Sequence, residues 1–228
     1  LACAGGVVLA ILLLRTAPAQ VTQAWSVNIG GVARVVVPTN GSTQAGMPWQ
    51  PLGQSMAVSN VIGGQLPQGS SLYLWDIVSN TLITCNRAAR GGWSSGGLLI
   101  PPGAGFWLTT YNGAGSTGGV HHVFLAGEVP SADTQPELTL SPVAGTELIA
   151  YGYPVSTVFT GTTLYGSGVA GDFVMVWHTD TQAYTTNILT GSGWQPPLTG
   201  LVIRPGNAFW YGTSNSIAWV ETKPYTWP

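Results

Sequence analysis

The sequence predicts an all-β protein made of two tandem, similar antiparallel β-sandwich or partly open β-barrel domains. Three observations point there. The chain repeats itself. Its apolar residues fall in short runs rich in Val, Ile, Thr, Tyr and Trp, cut about every eight to twelve residues by turns such as Asn112-Gly113 and Ser167-Gly168. Past the N-terminal segment, no window holds apolar residues at i, i+3, i+4, i+7 for three turns, so little or no helix is expected.

The first element is N-terminal. Val7 to Leu14 form an apolar run, followed by Ala17-Pro18-Ala19 and polar sequence from Gln20. This reads as a secretory signal, truncated at its start, with cleavage after Ala19. The run breaks at Arg15, short of the roughly 18 apolar residues a membrane span needs. Membrane association is therefore expected only where the segment is retained as an anchor. The mature protein is expected to be secreted, extracellular or at the cell surface, with the periplasm as the alternative. Cleavage removes Cys3 and leaves Cys85, with no internal disulfide, in the strand-like run Leu82-Ile83-Thr84-Cys85, where it reads as a small buried hydrophobe.

The second and third elements are the repeats, 20–130 and 131–228, with a boundary near Glu128 to Thr134. Leu72-Tyr73-Leu74-Trp75 matches Val174-Met175-Val176-Trp177, and Gly92-Trp93 matches Gly193-Trp194. Ile100-Pro101-Pro102-Gly103-Ala104-Gly105-Phe106-Trp107 matches Ile203-Arg204-Pro205-Gly206-Asn207-Ala208-Phe209-Trp210. Upstream, Pro38-Thr39-Asn40-Gly41 corresponds to Pro142-Val143-Ala144-Gly145, and Pro51-Leu52 to Pro154-Val155. The expected core residues are Trp75, Trp93 and Phe106 with their counterparts Trp177, Trp194 and Phe209.

Charged residues make up 6% of the chain, against roughly 25% in an average soluble domain. That scarcity argues against a nucleic-acid surface, a polybasic membrane patch and a charged coiled coil, each of which needs clustered charge.

The order Val27-Asn28-Ile29-Gly30-Gly31-Val32, Val35-Val36-Val37-Pro38, Leu72-Tyr73-Leu74-Trp75, Gly92-Trp93, Pro102-Gly103-Ala104-Gly105-Phe106-Trp107 and Val123-Phe124-Leu125-Ala126-Gly127-Glu128-Val129-Pro130 resembles a tandem β-domain of exported verrucomicrobial and planctomycete-type proteins. The resemblance spans the mature chain. It implies export and a repeated β fold. The family has no established activity, so the resemblance brings no catalytic residues with it.

The chemical motifs read as structure. Gly92-Trp93-Ser94-Ser95-Gly96 satisfies G-x-S-x-G, but Gly97-Leu98-Leu99-Ile100 after it reads as a strand where a nucleophile elbow needs a helix, and the second repeat has no Ser there. Gly113-Ala114-Gly115-Ser116-Thr117-Gly118 satisfies G-x-G-x-x-G, but Val120-His121-His122-Val123-Phe124-Leu125 behind it is strand-like, so it reads as a hairpin loop. His121 and His122 must face opposite sides of a strand. His178 and Asp180 share a face but lack a third ligand, and Asp76 stands in the place of His178 in repeat one. The carboxylates are scattered, leaving only a spatial pair of Asp76 with Asp172 or Asp180 to consider. No cofactor, no metal and no catalysis are expected. Asn40-Gly41-Ser42 is the one glycosylation sequon.

Aromatics are the stronger signal, with ten Trp, eight Tyr and five Phe. In Phe106-Trp107 and Phe209-Trp210 one side chain of each pair faces the core, and the other either packs under a loop or stands exposed. Trp107, Tyr111, Trp210 and Tyr211 are thus candidate contacts for surface glycans or a partner. The functional expectation is a non-catalytic exported structural or adhesive protein, and the alternative is a glycan-binding module. Self-association is the last expectation. Ser26 to Val32 resembles the segment Val123 to Val129 that closes repeat one and, more weakly, Ile217 to Glu221. One closing strand, marked by Val27, Ile29 and Val32, therefore looks surplus. It either caps repeat one within the chain or adds to the next subunit and propagates a filament.

Overall fold

The computed structural model describes residues 29–226 except 77–78, 91, 112–118, 136 and 141–144. Residues 1–19, expected as a signal segment and including Cys3, together with Val27 and the glycine motif 113–118, lie outside the described residues. No helix among the described residues is long and apolar enough to cross a membrane.

In chain order the first half contains β1 (Gly30–Pro38), β2 (Ser42–Gly46), the single-turn α1 (Val58–Val61), β3 (Ser71–Asp76), β4 (Thr81–Asn86), β5 (Gly105–Thr109) and β6 (Val120–Glu128). The second half contains β7 (Leu138–Leu140), β8 (Thr146–Ala150), β9 (Thr157–Val158), α2 (Thr163–Ser167), β10 (Phe173–His178), β11 (Ala183–Thr190), β12 (Gly193–Gln195), β13 (Val202–Ile203), β14 (Ala208–Gly212) and β15 (Ile217–Trp219). The protein is all-β, with several antiparallel sheets and no closed barrel.

Two sheets dominate. One has the order β2-β5-β3-β4, the other β12-β11-β10-β14-β8. Setting β2, β5, β3, β4 against β8, β14, β10, β11, both follow one order, with β12 added at an edge of the second.

Alternation along each strand sends side chains to two faces. Leu72 and Leu74 of β3 and Phe106 and Leu108 of β5 enter a core completed by Val35, Val37, Val123 and Leu125 from the β1–β6 ribbon and by Ile62 behind α1. Val174 of β10 and Phe209 and Tyr211 of β14 enter a second core with Phe159, Trp194, Leu140 and Trp219. Trp93, Phe106, Trp194 and Phe209 are therefore core residues, and Cys85 is fully buried as a small apolar filler.

The second core also buries two carboxylates, each satisfied locally. Asp172 accepts from the Tyr211 hydroxyl at 2.9 Å and from the Val169 and Ser214 amides at 3.0 and 3.4 Å. Glu221 accepts from Trp219 Nε1 at 2.6 Å, and from the Thr163 amide and hydroxyl at 2.8 and 3.0 Å, which ties the C-terminal segment to α2. The boundary segment is pinned by the same C-terminal residues: Tyr225 donates to Pro130 O at 2.6 Å and Lys223 pairs with Asp133 at 3.0 Å.

Two expectations are corrected. Leu98 to Ile100 is no strand: Leu99 makes a single bridge to Ala57 after a turn through Ser94 to Gly97. Nor is a closing strand surplus among the described residues. The strand β1 pairs with β6 of the same chain, from Gly30↔Glu128 to Pro38↔Val120, and β15 pairs with β7. The short β7 holds only Leu138-Thr139-Leu140, too little alternation to announce a strand.

Emptying either core is expected to be costly: Phe106→Ala and Phe209→Ala should each destabilise by about 3–5 kcal/mol in urea unfolding. Alkaline pH should act on the second core. Burial raises Tyr211 above its ordinary value of 10.0, with Asp172 adding to the effect, and raises Tyr151 and Tyr225 to about 12. Folding thus opposes their ionisation, so stability is fully present below pH 10 and drains away as pH climbs through 12. Melting curves across that window should show the fall, and Tyr151→Phe should make it shallower.

Candidate functional site

The opposite faces of the two large sheets meet each other. Tyr73 and Trp75 on β3, Trp107 on β5, Met175 and Trp177 on β10, and Trp210 on β14 all alternate away from the cores. They would be the outer faces of isolated sheets. Instead Trp75 packs edge-on against Trp210 with ring centroids 5.1 Å apart, and Trp107 packs edge-on against Trp177 at 4.9 Å. These two contacts are reciprocal, since Trp75 corresponds to Trp177 and Trp107 to Trp210. Leu148, Ala150 and Ala208 fill the space beside them.

Backbone bonds repeat the same reciprocity. Pro102-Gly103 and Pro205-Gly206 each form a tight turn with the glycine at positive φ, +79° and +87°, closed by Ala104 N–H donating to Pro101 O and Asn207 N–H to Arg204 O. Proline before a positive-φ glycine is the pattern of a type II turn. Each turn offers its glycine carbonyl to the other half: Gly46 N–H donates to Gly206 O at 2.9 Å and Ala150 N–H to Gly103 O at 2.8 Å. The approach is close enough to require glycine. A Cβ on Gly46 would sit 2.2 Å from that of Ala150, and one on Gly105 would sit 2.6 Å from Leu148 Cγ.

This geometry relocates several residues. Trp75 and Trp177, expected in the cores, are half-buried in the seam because Leu72, Leu74 and Val174 hold the core side of their strands. Trp107 and Trp210, proposed as surface contacts, lie in the same seam. Tyr211 faces the core at 1% exposure with its hydroxyl on Asp172, which removes it as a surface contact. Tyr111 is exposed, at 69%. Val32 and Ile29 are exposed on and beside β1.

The two sides of the seam differ chemically. Around Trp75 and Trp210 it is closed by Leu148. Around Trp107 and Trp177, Gln44 occupies the position corresponding to Leu148, and its amide donates to the Tyr184 hydroxyl at 3.2 Å, which also accepts from Trp210 Nε1 at 2.8 Å. The Gln44 amide oxygen is buried without a partner, an arrangement that costs about 1–3 kcal/mol. Trp177 Nε1 donates to Ser42 O, and Gln182 grips both backbone groups of Ser42, next to the exposed sequon residue Asn40. Here a cleft of about 590 Å³ opens between β1 and β2 on one side and β10 and the 200–209 segment on the other. Arg34, Arg204, His178 and Asp180 line it along with Gln44 and Trp177.

No family model, curated protein or solved structure matches this chain.

Several other chemistry-bearing residues have structural partners. Ser94 Oγ accepts from the Asn86 amide at 3.0 Å and so closes the turn after β4. His121 and His122 face opposite sides of β6, the second of them exposed. His178 Nε2 bonds to Thr185 Oγ1 at 2.8 Å. Asp172 is walled into the second core, whereas Asp180 is exposed at the cleft and Asp76 bonds to Ser79 at the end of β3. Among the described residues no group of three His, Cys, Asp or Glu side chains is placed to hold a metal ion.

Sequence reasoning missed the cleft. Its signal was present in the mismatches between the halves, Gln44 against Leu148 and Arg204 against Pro101, where a polar residue stands opposite an apolar one.

The seam should behave as a coupled unit. A double-mutant cycle on Trp107→Leu and Trp177→Leu, read by thermal unfolding, should give a coupling of about 0.5–1.5 kcal/mol. A Trp107→Leu and Trp93→Leu cycle should give a markedly smaller one.

Proposed function

We propose that this chain is a non-catalytic structural or adhesive unit of an exported protein, its two halves being copies of one β module locked face to face. The observation that carries this reading is the reciprocal seam. The motif most clearly repeated in the sequence, Pro-Gly-x-x-Phe-Trp, is used in the seam and the adjoining cores, not for display of reactive groups. The glycine carbonyl and the Trp of each copy make the joint, and the Phe fills the core. The serine of the G-x-S-x-G match and the buried Asp172 and Glu221 have structural hydrogen bonds, which supports a scaffold over a catalyst. The pairing of β1 with β6 supports the within-chain role for that strand, so adhesion or assembly would use side-chain surfaces.

The test couples two measurements on the secreted chain. Beads coated with it should attach to cells or polysaccharide, or electron microscopy and light scattering should show ordered self-assembly. A panel of ester, glycoside and peptide substrates should remain intact. Turnover that disappears in Ser94→Ala or His178→Ala would overturn the proposal, as would a chain that neither adheres nor assembles.

A further inference from the structure

We propose that the open side of the seam is a binding site for an acidic saccharide, one bearing a carboxylate or sulfate, held by Arg34 and Arg204 above a floor formed by Gln44 and Trp177. The argument begins with charge. The chain has only six Lys and Arg residues, yet two of them line one cleft, on segments that touch: a Cβ on Gly206, two residues from Arg204, would lie 3.3 Å from Ala33, the neighbour of Arg34. Both arginines are exposed, and neither guanidinium has a hydrogen bond or ion pair among the described residues. Asp180, in the same cleft, forms no ion pair with either. Two unpaired guanidiniums present forked donors suited to carboxylate or sulfate oxygens.

The second argument compares the seam with itself. Where the closed side has Leu148, Pro101 and Asp76, the open side has Gln44, Arg204 and His178 at the corresponding sequence positions. Each side leaves one buried polar atom unpaired, Trp75 Nε1 on the closed side and the Gln44 amide oxygen on the open side, but only on the open side do exposed arginines line the adjoining cleft. Cationic side chains gathered at one of two corresponding places mark that place as the one that serves an anionic ligand. The cleft volume of about 590 Å³ suits a short oligosaccharide rather than a lone ion. The exposed Asp180 carboxylate offers a hydroxyl partner in the same cleft as the anion-binding arginines.

This inference goes beyond the scaffold reading above, which stands whether or not the cleft is filled. Titration calorimetry on the full chain at low salt would use trigalacturonate, a sulfated disaccharide and neutral cellotriose. At least one acidic sugar should bind, with cellotriose weaker by about tenfold or more, and each of Arg34→Gln and Arg204→Gln should weaken binding by about tenfold. Arg90→Gln, an exposed charge away from the cleft, should change nothing. Gln44→Leu, copying the closed side, should raise the melting temperature while weakening binding. Sulfated sugar binding ahead of galacturonate would support the site and name sulfate as its anion. Absence of binding by both acidic sugars, a preference for cellotriose, or unchanged affinity in a folded Arg34→Gln/Arg204→Gln variant would overturn it.

Discussion

The structure depends on two backbone hydrogen bonds that cross between the halves, Gly46 to Gly206 and Ala150 to Gly103. Each ends on the carbonyl of a glycine held at positive φ behind a proline, a turn whose shape is set locally before any long-range contact forms. The turns bring the sheets close enough for the Trp pairs to meet edge to face. They also leave no room for a side chain on Gly46. Replacing either turn geometry would move a carbonyl, a Trp and a neighbouring strand together, because all three belong to one short stretch of chain.

That joint accounts for the composition. A sandwich sheet ordinarily has one apolar face and one solvated face, and its solvated face carries charge. Here the large sheets have a core on one side and each other on the second, so β2, β5, β8 and β14 run nearly without charged residues. The exception is Glu147 of β8, which is buried. The charge that remains is used sparingly: Asp172 and Glu221 organise buried donors, Lys223 secures the boundary segment, and Arg34 and Arg204 stand together at the cleft.

The seam also separates permanent structure from available surface. Its closed side is filled by Leu148 and neighbouring alanines packed against Trp75 and Trp210. Its open side has the same backbone geometry with polar residues in it. Two facing sheets of one strand order give this freedom, because one side can carry the packing while the other gives up some stability for a polar opening.

The sequence by itself determined most of the longer strands, the proline-glycine turns and the core side of β4 and β5, because alternation and proline-glycine chemistry act over a few residues; on β3 and β10 it put Trp75 and Trp177 on the wrong face. Phe106, Phe209, Trp93, Trp194 and Cys85 were placed inside on that basis and are inside. The tertiary structure decided the fate of the other face. Period-two alternation states that Trp75 and Trp107 point away from Leu74 and Phe106, but it carries no information on whether water or another sheet lies there. That depends on contacts between residues far apart in the chain, such as Trp107 with Trp177, 70 positions on, and Gly46 with Gly206, 160 positions on. Tyr211 and Trp210 show the same limit: adjacent aromatics with opposite faces are legible, but only the packed sheets made one a core residue and the other part of the joint. The cleft is wholly tertiary, since Arg34, Gln44, Asp180 and Arg204 come from four separated segments whose meeting no local pattern encodes.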